Sequence, residues 1–407
     1  MYIPRHLEEP IRAASRAYPV VMLCGQRQVG KSTLLRHIAG PERRAVTLDD
    51  LSALRLAQND PALFFETYGT PLLIDEFQRA PQLLLEIKRR VDEKILAGLP
   101  CAGDYWLTGS QKFVMMKNAS ESLAGRVAVF ELSGLSAAEI DERPARVFSP
   151  EVDDLRERVA AARPVTVRGV YERIFRGGMP RIVTGEVERE RYYMDYVNTY
   201  LEKDVRALSQ VGKLREFGDF LVYMAARTGQ ELNYADAAGA IGVSSPTVKE
   251  WISILEASGV IALLRPWSSS LTKRLVKSPK VYFMDTGLAA WLCRWPDAAT
   301  LESGAMDGAF FETWAVTEIV KSFINAGLRS DLYYYRDSDR REIDLVIARA
   351  GKLWPIEIKK SKNPASPDRY FSVLAKFGDV QPGIVICMSD ELIPYNRRAW
   401  LFPAWAL

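Results

Sequence analysis

A glycine-rich loop near the N-terminus is the segment whose residue types and spacing point most directly to chemistry. Residues 25–32 match the pattern GxxxxGK[ST], follow the apolar run 19–24 and precede a helical segment, 33–38. Such a loop turns successive backbone N–H groups towards an anion, and the N-terminus of the following helix adds positive charge. The pattern predicts contact with the phosphates of ATP by Gly25, Gln26, Arg27, Gln28, Val29, Gly30, Lys31, Ser32 and Thr33.

A pair of acidic residues, Asp75 and Glu76, ends the short apolar run 72–74. The carboxyl ends of parallel strands meet at one edge of a sheet, so this pair is expected beside the glycine-rich loop. We expect Ser32 and Asp75 to hold Mg²⁺, and Glu76 to orient the attacking water. An acidic strand end alone is a weak signal, but it becomes a strong one at this distance beyond a phosphate loop.

Two further positions are candidates for the same site. Strand 105–108 ends just before Ser110, whose hydroxyl could contact the γ-phosphate, although an ordinary Gly-Ser turn explains these residues equally well. Arg126 follows a glycine at the start of the predicted strand 127–130. It is predicted to act as an arginine finger on a neighbouring subunit's nucleotide, with a surface position or a same-chain phosphate contact as the alternative.

Two segments near the C-terminal end predict a β-hairpin. Residues 342–348 and 353–359 contain alternating acidic and apolar positions, and residues 349–352 make a four-residue turn. Closing that turn by pairing Ala348 with Leu353 fixes every later pair. The predicted pairs are Asp344 with Glu357 and Glu342 with Lys359 and, on the opposite, buried face, Ile343 with Ile358, Leu345 with Ile356 and Ile347 with Trp354.

The predicted meeting of Asp344 and Glu357 indicates metal chemistry. Like charges directly opposite one another destabilise a strand pair, so folding alone gives no reason to place them there. A divalent cation between the two carboxylates makes their proximity favourable, because Mg²⁺ prefers hard carboxylate oxygens. Mn²⁺ is an alternative. Lys359 could then orient water or meet the charge that develops on a phosphate. A solvated edge hairpin without a metal is the competing interpretation.

Glu312 is a third candidate metal ligand. It shares a predicted apolar helical stripe with Val316 and Ile319, while Glu318 and Lys321 are predicted to point the other way. A carboxylate on an apolar stripe is costly unless it is paired or bound to a metal. The alternative is a half-buried residue in the first turn, where the helix dipole favours an acid.

The middle of the chain predicts a winged helix-turn-helix. Residues 217–264 give the order helix, helix, turn, helix, strand, and Ser244 is placed to cap the second helix of the motif. The following segment, 265–280, contains basic residues and no acidic residue. We expect contacts with the DNA backbone by Lys249, Lys273, Arg274 and Lys277, and the same segment also contains Arg265 and Lys280. Packing or oligomer contacts are the alternative use of this motif.

Composition sets the broad class. The chain has 407 residues, 48% hydrophobic and 26% charged, which is typical of a soluble multidomain protein. The net charge of +3 does not by itself argue for nucleic acid, and the four cysteines show no zinc-site spacing. Neither a signal pattern nor an apolar run long enough to cross a membrane is present. We therefore predict a cytoplasmic location and no membrane partner.

The motifs together resemble those of prokaryotic AAA-type ATPases that carry a PD-(D/E)xK nuclease domain of the Holliday-junction-resolvase-like kind. Glu312, Asp344 and the Glu357-x-Lys359 pair match the nuclease pattern, although Ile343 stands where such enzymes often have proline. The resemblance also covers the phosphate loop and the segments 73–76, 123–126, 176–180 and 277–287. It implies ATP hydrolysis in a ring-forming fold, a winged helix and DNA as the target.

The resulting expectation is an α/β multidomain protein. Its predicted parts are a P-loop ATPase domain over 1–145, a helical lid and linker over 146–212, a winged helix-turn-helix over 213–270 and a restriction-endonuclease-like domain over 271–407. We expect ATP, Mg²⁺ or Mn²⁺, DNA and a ring-type homo-oligomer such as a hexamer. The predicted function is ATP-driven processing of branched or ended DNA with metal-dependent cleavage. The alternative is a nucleotide-switched regulatory ATPase whose nuclease-like domain is a non-catalytic scaffold.

Overall fold

A parallel β-sheet forms the centre of the N-terminal domain. The computed structural model describes residues 1–109, 123–201, 214–270, 274 and 278–407. Neighbouring strands run parallel in the order β2-β3-β4-β1-β5. These strands are β1 Val20–Gly25, β2 Arg44–Thr47, β3 Leu72–Asp75, β4 Tyr105–Thr108 and β5 Val127–Leu132.

Helices cover both faces of this sheet. Successive side chains of a strand point to opposite faces, so apolar residues are present on each face to pack against helices. Along β1, Val21 and Leu23 belong to one core cluster and Val20 and Met22 to another. All six residues of β1 are buried, as expected of a central parallel strand. The helices of this domain are Glu8–Ser15, Lys31–Ile38, Leu51–Asn59, Pro61–Tyr68, Leu83–Leu96 and Ala137–Ile140, with a 3₁₀ turn at Phe77–Arg79.

A helical segment follows the sheet domain. Its helices are Val152–Ala161, Val167–Arg176, Pro180–Val183 and Arg189–Tyr196, followed by a π-helical stretch at Val197–Leu201. Helix Val167–Arg176 packs against three helices of the later part of the chain, which are Thr286–Leu292, Ala298–Ser303 and Asp307–Ile324. The segment is therefore packed against the C-terminal half as well as connected to the N-terminal domain.

The carboxylate of Asp285 connects the two glycines that follow helix Val167–Arg176 to the later part of the chain. Asp285 accepts hydrogen bonds from the backbone N–H of Gly178 (2.8 Å), the hydroxyl of Tyr193 (2.6 Å) and the backbone N–H of Leu288 (2.7 Å). A Cβ atom on Gly178 would lie 2.4 Å from the carbonyl oxygen of Leu135, so only glycine fits there. We call this arrangement the Asp285 joint.

The middle of the chain contains three helices beside a small antiparallel sheet. The helices are Leu214–Ala226, Tyr234–Ile241 and Ser245–Ala257, and the sheet has the order β6-β8-β7, with β6 Gln230–Glu231, β7 Ile261–Leu264 and β8 Lys280–Phe283. The Ser244 hydroxyl accepts from the backbone N–H of Thr247, as its predicted capping role requires. The predicted domain boundary between residues 270 and 271 would separate β7 from β8, which pair, so the middle part extends through β8.

The C-terminal part is built on a mixed sheet of order β14-β15-β13-β11-β10-β9, with β12 paired to β11. Helix Asp307–Ile324 packs against β11, and 3₁₀ turns lie at Phe371–Phe377 and Ala404–Ala406. None of the helices in the described ranges has the length and apolar character needed to cross a membrane. The strands are β9 Leu332–Arg336, β10 Glu342–Arg349, β11 Lys352–Ile358, β12 Asp379–Val380, β13 Gly383–Cys387, β14 Ile393–Asn396 and β15 Ala399–Pro403.

The register of the β10–β11 hairpin is the predicted one, with Ala348 opposite Leu353. The prediction that Ile343 lies on the same face of the hairpin as Leu345 is wrong. A bulge between Ile343 and Val346, where β10 pairs with β9, shifts the alternation. Ile343 consequently lies in a different core cluster from Leu345, which packs in the large cluster.

Candidate functional site

The phosphate loop connects β1 to helix Lys31–Ile38 and is shaped by two glycines. Gly25 has φ +139°, and a Cβ atom there would lie 2.1 Å from the carbonyl oxygen of Leu132. Gly30 has φ +92° immediately before the helix, a backbone conformation that favours glycine. The loop therefore begins and ends at positions where a side chain is strained or excluded.

Lys31 is a buried ammonium group held by backbone oxygens of its own loop. Its Nζ donates to the carbonyl oxygen of Gly25 at 3.1 Å and to that of Gln26 at 2.6 Å. Burial lowers the pKa of Lys31 to about 8, and the carboxylates of Glu76 and Asp75 only partly oppose this effect. A buried cation that lacks full compensation attracts an anion such as a phosphate.

The predicted magnesium ligands meet at the end of β3. The Ser32 hydroxyl donates to Oδ1 of Asp75 at 2.8 Å, and the same oxygen accepts the backbone N–H of Glu76 at 3.0 Å. Glu76 has φ +54° and accepts from Nε2 of Gln78 at 2.5 Å. A hydroxyl and a carboxylate beside a buried lysine fit Mg²⁺ that arrives with a nucleotide.

A cleft of ≈ 1140 Å³ lies in front of the loop. Its lining includes the predicted residues Arg27, Gln28, Val29, Gly30, Lys31, Ser32, Thr33 and Glu76. Arg181 and Thr184 also line it, although sequence reasoning assigned them no role. The nearest sequence signal was the segment 176–180, which the family resemblance includes but which did not indicate the cleft.

Arg5 is a further residue beside the phosphate loop that the sequence did not reveal. Its guanidinium is buried and donates to the carbonyl oxygens of Val29 at 3.0 Å and Ser133 at 2.8 Å. Its Nε lies 2.9 Å from Oε1 of Glu139. Arg5 thus supports the phosphate loop from the N-terminal segment.

Several predicted residues of this site lie elsewhere or outside the described residues. The Gln26 side chain is buried and donates to the carbonyl oxygen of Gly259, just before β7. Arg126 forms an ion pair with Asp92 of its own chain at 2.6 Å, so action in trans requires that this pair separate. Ser110 lies outside the described residues. The hydroxyl of Thr108, at the end of β4, is buried without a hydrogen-bond partner among the described residues.

A carboxylate cluster forms where β10 and β11 meet helix Asp307–Ile324. Oδ2 of Asp344 accepts the backbone N–H of Ile358 at 2.8 Å. The Nζ of Lys359 lies 2.6 Å from Glu357 and 3.8 Å from Asp344. Glu312 completes the cluster, and the β10–β11 hairpin therefore brings together the acids and the lysine that the sequence predicts.

The acids of this cluster affect one another's ionisation. Burial and the nearby charge of Asp344 raise the pKa of Glu312 to about 7 and that of Glu357 to about 8. Burial lowers the pKa of Lys359, but Asp344 and Glu357 outweigh it and raise the pKa above its ordinary value. The cluster is therefore short of positive charge when all of its carboxylates are ionised.

Two residues of β8, which the sequence did not indicate, enter the cluster. The Nζ of Lys280 lies 3.0 Å from Oε1 of Glu312 and 2.6 Å from Oε1 of Glu342. The hydroxyl of Tyr282 donates to Oε1 of Glu312 at 2.7 Å. The predicted partner of Glu342 was Lys359, and the structure instead places Glu342 beside Lys280 and, at 3.7 Å, Arg336.

The donor set of this cluster has the right chemistry for Mg²⁺ or Mn²⁺, but its present arrangement does not fit either ion. Carboxylate oxygens are the ligands that these ions prefer. Yet no group of three or more histidine, cysteine or acidic side chains in the described ranges is arranged to hold a metal ion. The oxygens are directed instead towards the ammonium groups of Lys280 and Lys359.

The predicted DNA-binding residues are only partly described. Lys249 is exposed on helix Ser245–Ala257, as predicted. Arg274 packs over the rings of Trp267 at 3.8 Å and Tyr333 at 4.9 Å. Lys280 is buried, so its expected place in a basic DNA-contacting segment is wrong. Lys273 and Lys277 lie outside the described residues.

Glu318 and Lys321 do not point away from the protein interior. Both are buried, and their charged groups lie 2.8 Å apart. Glu318 also accepts the backbone N–H of Ala137 at 2.7 Å, and Lys321 donates to the carbonyl oxygen of Leu135 at 3.2 Å. This pair connects helix Asp307–Ile324 to the N-terminal domain.

Family comparisons agree with the geometry of the N-terminal part. Residues 17–141 match the model of an AAA domain. Together with the phosphate loop and the parallel sheet, this match supports an AAA-type P-loop ATPase domain in the N-terminal part. That type of domain implies nucleotide binding with Mg²⁺. Residues 167–299 and 307–407 match two models that are each described as a domain of unknown function, DUF8612 and DUF4143.

Relatives and solved structures give a wider comparison. The chain is similar to the uncharacterized proteins Rv2008c of Mycobacterium tuberculosis and Mb2031c of Mycobacterium bovis. Each is 28% identical over 383 residues, 92% of this chain and 78% of the relative. The Walker-type ATPase of Pyrococcus abyssi matches with 15% identity and a TM-score of 0.41, covering 70% of this chain and 94% of that one. RuvB of Thermotoga maritima matches with 16% identity and a TM-score of 0.31, covering 63% of this chain and 88% of that one.

Proposed function

We propose that this protein is an ATP-driven, self-assembling DNA-processing protein whose C-terminal part is a metal-dependent endonuclease. The observation that carries the proposal is the meeting of Asp344, Glu357 and Lys359 in a chain with an AAA-type ATPase domain. The proposed parts are an ATPase domain over 1–145, a helical lid and linker over 146–212, a winged helix from 213 through β8, and a nuclease-like remainder.

In the ATPase part, the proposed roles follow from the contacts of the phosphate loop. Lys31 binds the β- and γ-phosphates, since its ammonium is buried and held by carbonyl oxygens at the loop. Ser32 and Asp75 hold Mg²⁺, which supplies charge neutralisation on the phosphates when bound. Glu76 lines the cleft and orients the attacking water. Arg126 of one subunit serves the nucleotide of the next in a ring-type oligomer.

In the C-terminal part, the proposed roles rest on the chemistry of the donor set. Asp344, Glu357 and Glu312 supply the carboxylates that a hard cation requires. Lys359 has a side chain that is 45% exposed, so its ammonium can turn from Glu357 towards a DNA phosphate. Its positive charge then meets the negative charge that develops during phosphodiester cleavage.

DNA is the proposed substrate, held through its phosphate backbone. Lys249 is exposed on the second helix of the helix-turn-helix, where recognition helices enter a groove. Lys273 and Lys277 add positive charge in the segment that follows. The Glu250 neighbour of Lys249 makes specific base recognition less favourable, so the proposed contact is independent of sequence.

The test is a cleavage assay with the purified full-length protein. Supercoiled and branched DNA are incubated with Mg²⁺ or Mn²⁺, with and without ATP. Cleavage is expected, with a loss of about 100-fold or more in Asp344→Ala and in Lys359→Ala while ATP hydrolysis continues. Lys352→Ala, an exposed lysine on the same hairpin, is the matched control and should cleave normally.

A regulatory ATPase with a non-catalytic scaffold is the second candidate function. The observation that favours it is the ion pairing of Glu312 and Glu342 with Lys280 and of Glu357 with Lys359. This candidate predicts nucleotide-dependent binding of DNA or protein and no cleavage on any substrate with either metal. Absence of cleavage in all of these assays would rule out the nuclease proposal and leave the ATPase assignment intact.

A further inference from the structure

Lys280 reaches the carboxylate cluster from a different sheet. It is the first residue of β8, which belongs to the small sheet of the middle part, whereas Glu312 and Glu342 belong to the C-terminal part. Its side chain is only 4% exposed. Tyr282, two residues further along the strand, points to the same side and bonds to the same Glu312 oxygen.

The ammonium of Lys280 occupies a position defined by two carboxylates. A buried charge is tolerated only when it is paired, and Lys280 is paired with both Glu312 at 3.0 Å and Glu342 at 2.6 Å. Oε1 of Glu312 already accepts from Lys280 and from Tyr282. That oxygen therefore has little remaining capacity for a metal ion while both donors are in place.

Lys359 does not obstruct the cluster in the same way. Its side chain is 45% exposed, whereas that of Lys280 is almost completely enclosed. Lys359 can turn towards solvent more readily, because its own side chain is exposed even though those of Glu357 and Asp344 are 15% and 11% exposed. Lys280 has to break ion pairs with both Glu312 and Glu342 from an enclosed position before it can move.

We propose that Lys280 is a built-in competitor for the divalent cation, so that a metal ion binds the carboxylate cluster only by displacing its ammonium from Glu312 and Glu342. This inference rests on the proposed metal site and adds what controls its occupancy. Removal of the ammonium leaves the same oxygens available to a cation of higher charge.

Binding of Mn²⁺ to the full-length protein, followed by electron paramagnetic resonance without nucleotide, tests this inference. Four proteins are titrated: the wild type, Lys280→Met, Asp344→Asn and the double variant. The difference made by Asp344→Asn isolates binding at the carboxylate cluster from binding at the ATPase site. Mn²⁺ binding that depends on Asp344 should be about tenfold tighter or more in Lys280→Met than in the wild type.

Two further variants keep the result interpretable. Lys280→Gln retains a hydrogen-bonding group without the charge and should also bind Mn²⁺ more tightly, even if Lys280→Met folds poorly. Tyr282→Phe removes a hydroxyl from Glu312 but leaves the ammonium in place, so its Mn²⁺ affinity should change less than about threefold. In both Lys280 variants, Mn²⁺ should raise the melting temperature by more than it does in the wild type.

The possible failures are distinct. Equal Asp344-dependent affinity in the wild type and both Lys280 variants would overturn the competitor role and leave the metal site standing. If Asp344→Asn changes Mn²⁺ binding in none of these proteins, the cluster is not a metal site, and both the nuclease proposal and this inference fail.

Discussion

Two buried lysines, Lys31 and Lys280, lie in opposite electrostatic surroundings. Lys31 is held by backbone carbonyl oxygens, and burial lowers its pKa to about 8. Burial also acts to lower the pKa of Lys280, but Glu312, Asp344 and Glu342 together outweigh it and raise the pKa above its ordinary value. Lys31 therefore lacks a full counter-charge in the phosphate loop, whereas the acids of the carboxylate cluster are already paired with the ammonium of Lys280.

This difference separates a site that is ready for its ligand from one that must first release an internal group. At the phosphate loop, an arriving nucleotide supplies the negative charge that Lys31 lacks. At the carboxylate cluster, an arriving metal ion meets an ammonium group already bound to Glu312 and Glu342. The contrast between the two lysines leads to four predictions.

Lys280→Met should destabilise the protein in the absence of metal. Glu312, whose side chain is 17% exposed, loses the ammonium beside it, whereas Glu342, at 32% exposure, retains Arg336 at 3.7 Å. Loss of one partner of a buried ion pair costs about 3 kcal/mol or more. The free energy of unfolding, measured by urea titration without metal, should fall by this amount. Lys352→Met, on an exposed position, is the control. A change below about 0.5 kcal/mol would contradict the assignment of Lys280 as an essential counter-ion.

Lys31→Ala should inactivate the phosphate loop and leave the cluster unaffected. Loss of the ammonium that we propose binds the phosphates should reduce ATP hydrolysis about 100-fold or more. Mn²⁺ binding that depends on Asp344 should be unchanged in the same variant. Normal ATP hydrolysis by Lys31→Ala would show that the loop is not the hydrolytic site.

The nucleotide affinity should fall as the pH rises above the pKa of Lys31. A bound phosphate favours the charged ammonium, so the free-state pKa of about 8 sets the pH above which deprotonation of Lys31 begins to oppose binding. ADP affinity, measured by calorimetry, should be nearly constant below that pH and fall by about tenfold for each pH unit above it. Lys31→Arg, whose guanidinium stays charged, should abolish this dependence. A flat profile in the wild type would contradict the prediction.

Lys31→Met should stabilise the nucleotide-free protein by about 1 kcal/mol. The substitution removes a buried charge that folding disfavours, as the lowered pKa of Lys31 indicates, although two hydrogen bonds to carbonyl oxygens are lost. Urea unfolding of the two lysine-to-methionine variants should therefore give opposite signs. Destabilisation by Lys31→Met would mean that those carbonyl contacts outweigh the cost of burying the ammonium.

Features encoded by neighbouring residues could be predicted from the sequence. The phosphate loop, the acidic end of β3, the Ser244 cap and the Ala348–Leu353 register each depend on a few consecutive positions. In such segments the backbone geometry follows from glycine positions, capping side chains and polarity alternation. The meeting of Asp344 with Lys359 also follows from the local register.

Features that depend on contact between distant segments could not be predicted in this way. Lys280 was expected to be a basic residue at the surface, because periodicity does not show that two acids from elsewhere surround it. Arg5 supports Val29 across the N-terminal domain, and Glu318 reaches Ala137 across more of the chain. The bulge after Ile343 also depends on β9, which a hairpin prediction does not include.

The Asp285 joint limits how this protein can be divided in the laboratory. A recombinant fragment ending near residue 145 would lose Gly178, whose carbonyl oxygen accepts the backbone N–H of Leu135 at 2.7 Å. It would also lose the carboxylate of Glu318, which bonds to the N–H of Ala137. An expressed ATPase half would therefore expose the surface on which these contacts form. Enzymology on this protein is best performed with the complete polypeptide, inactivating one site at a time by point substitution.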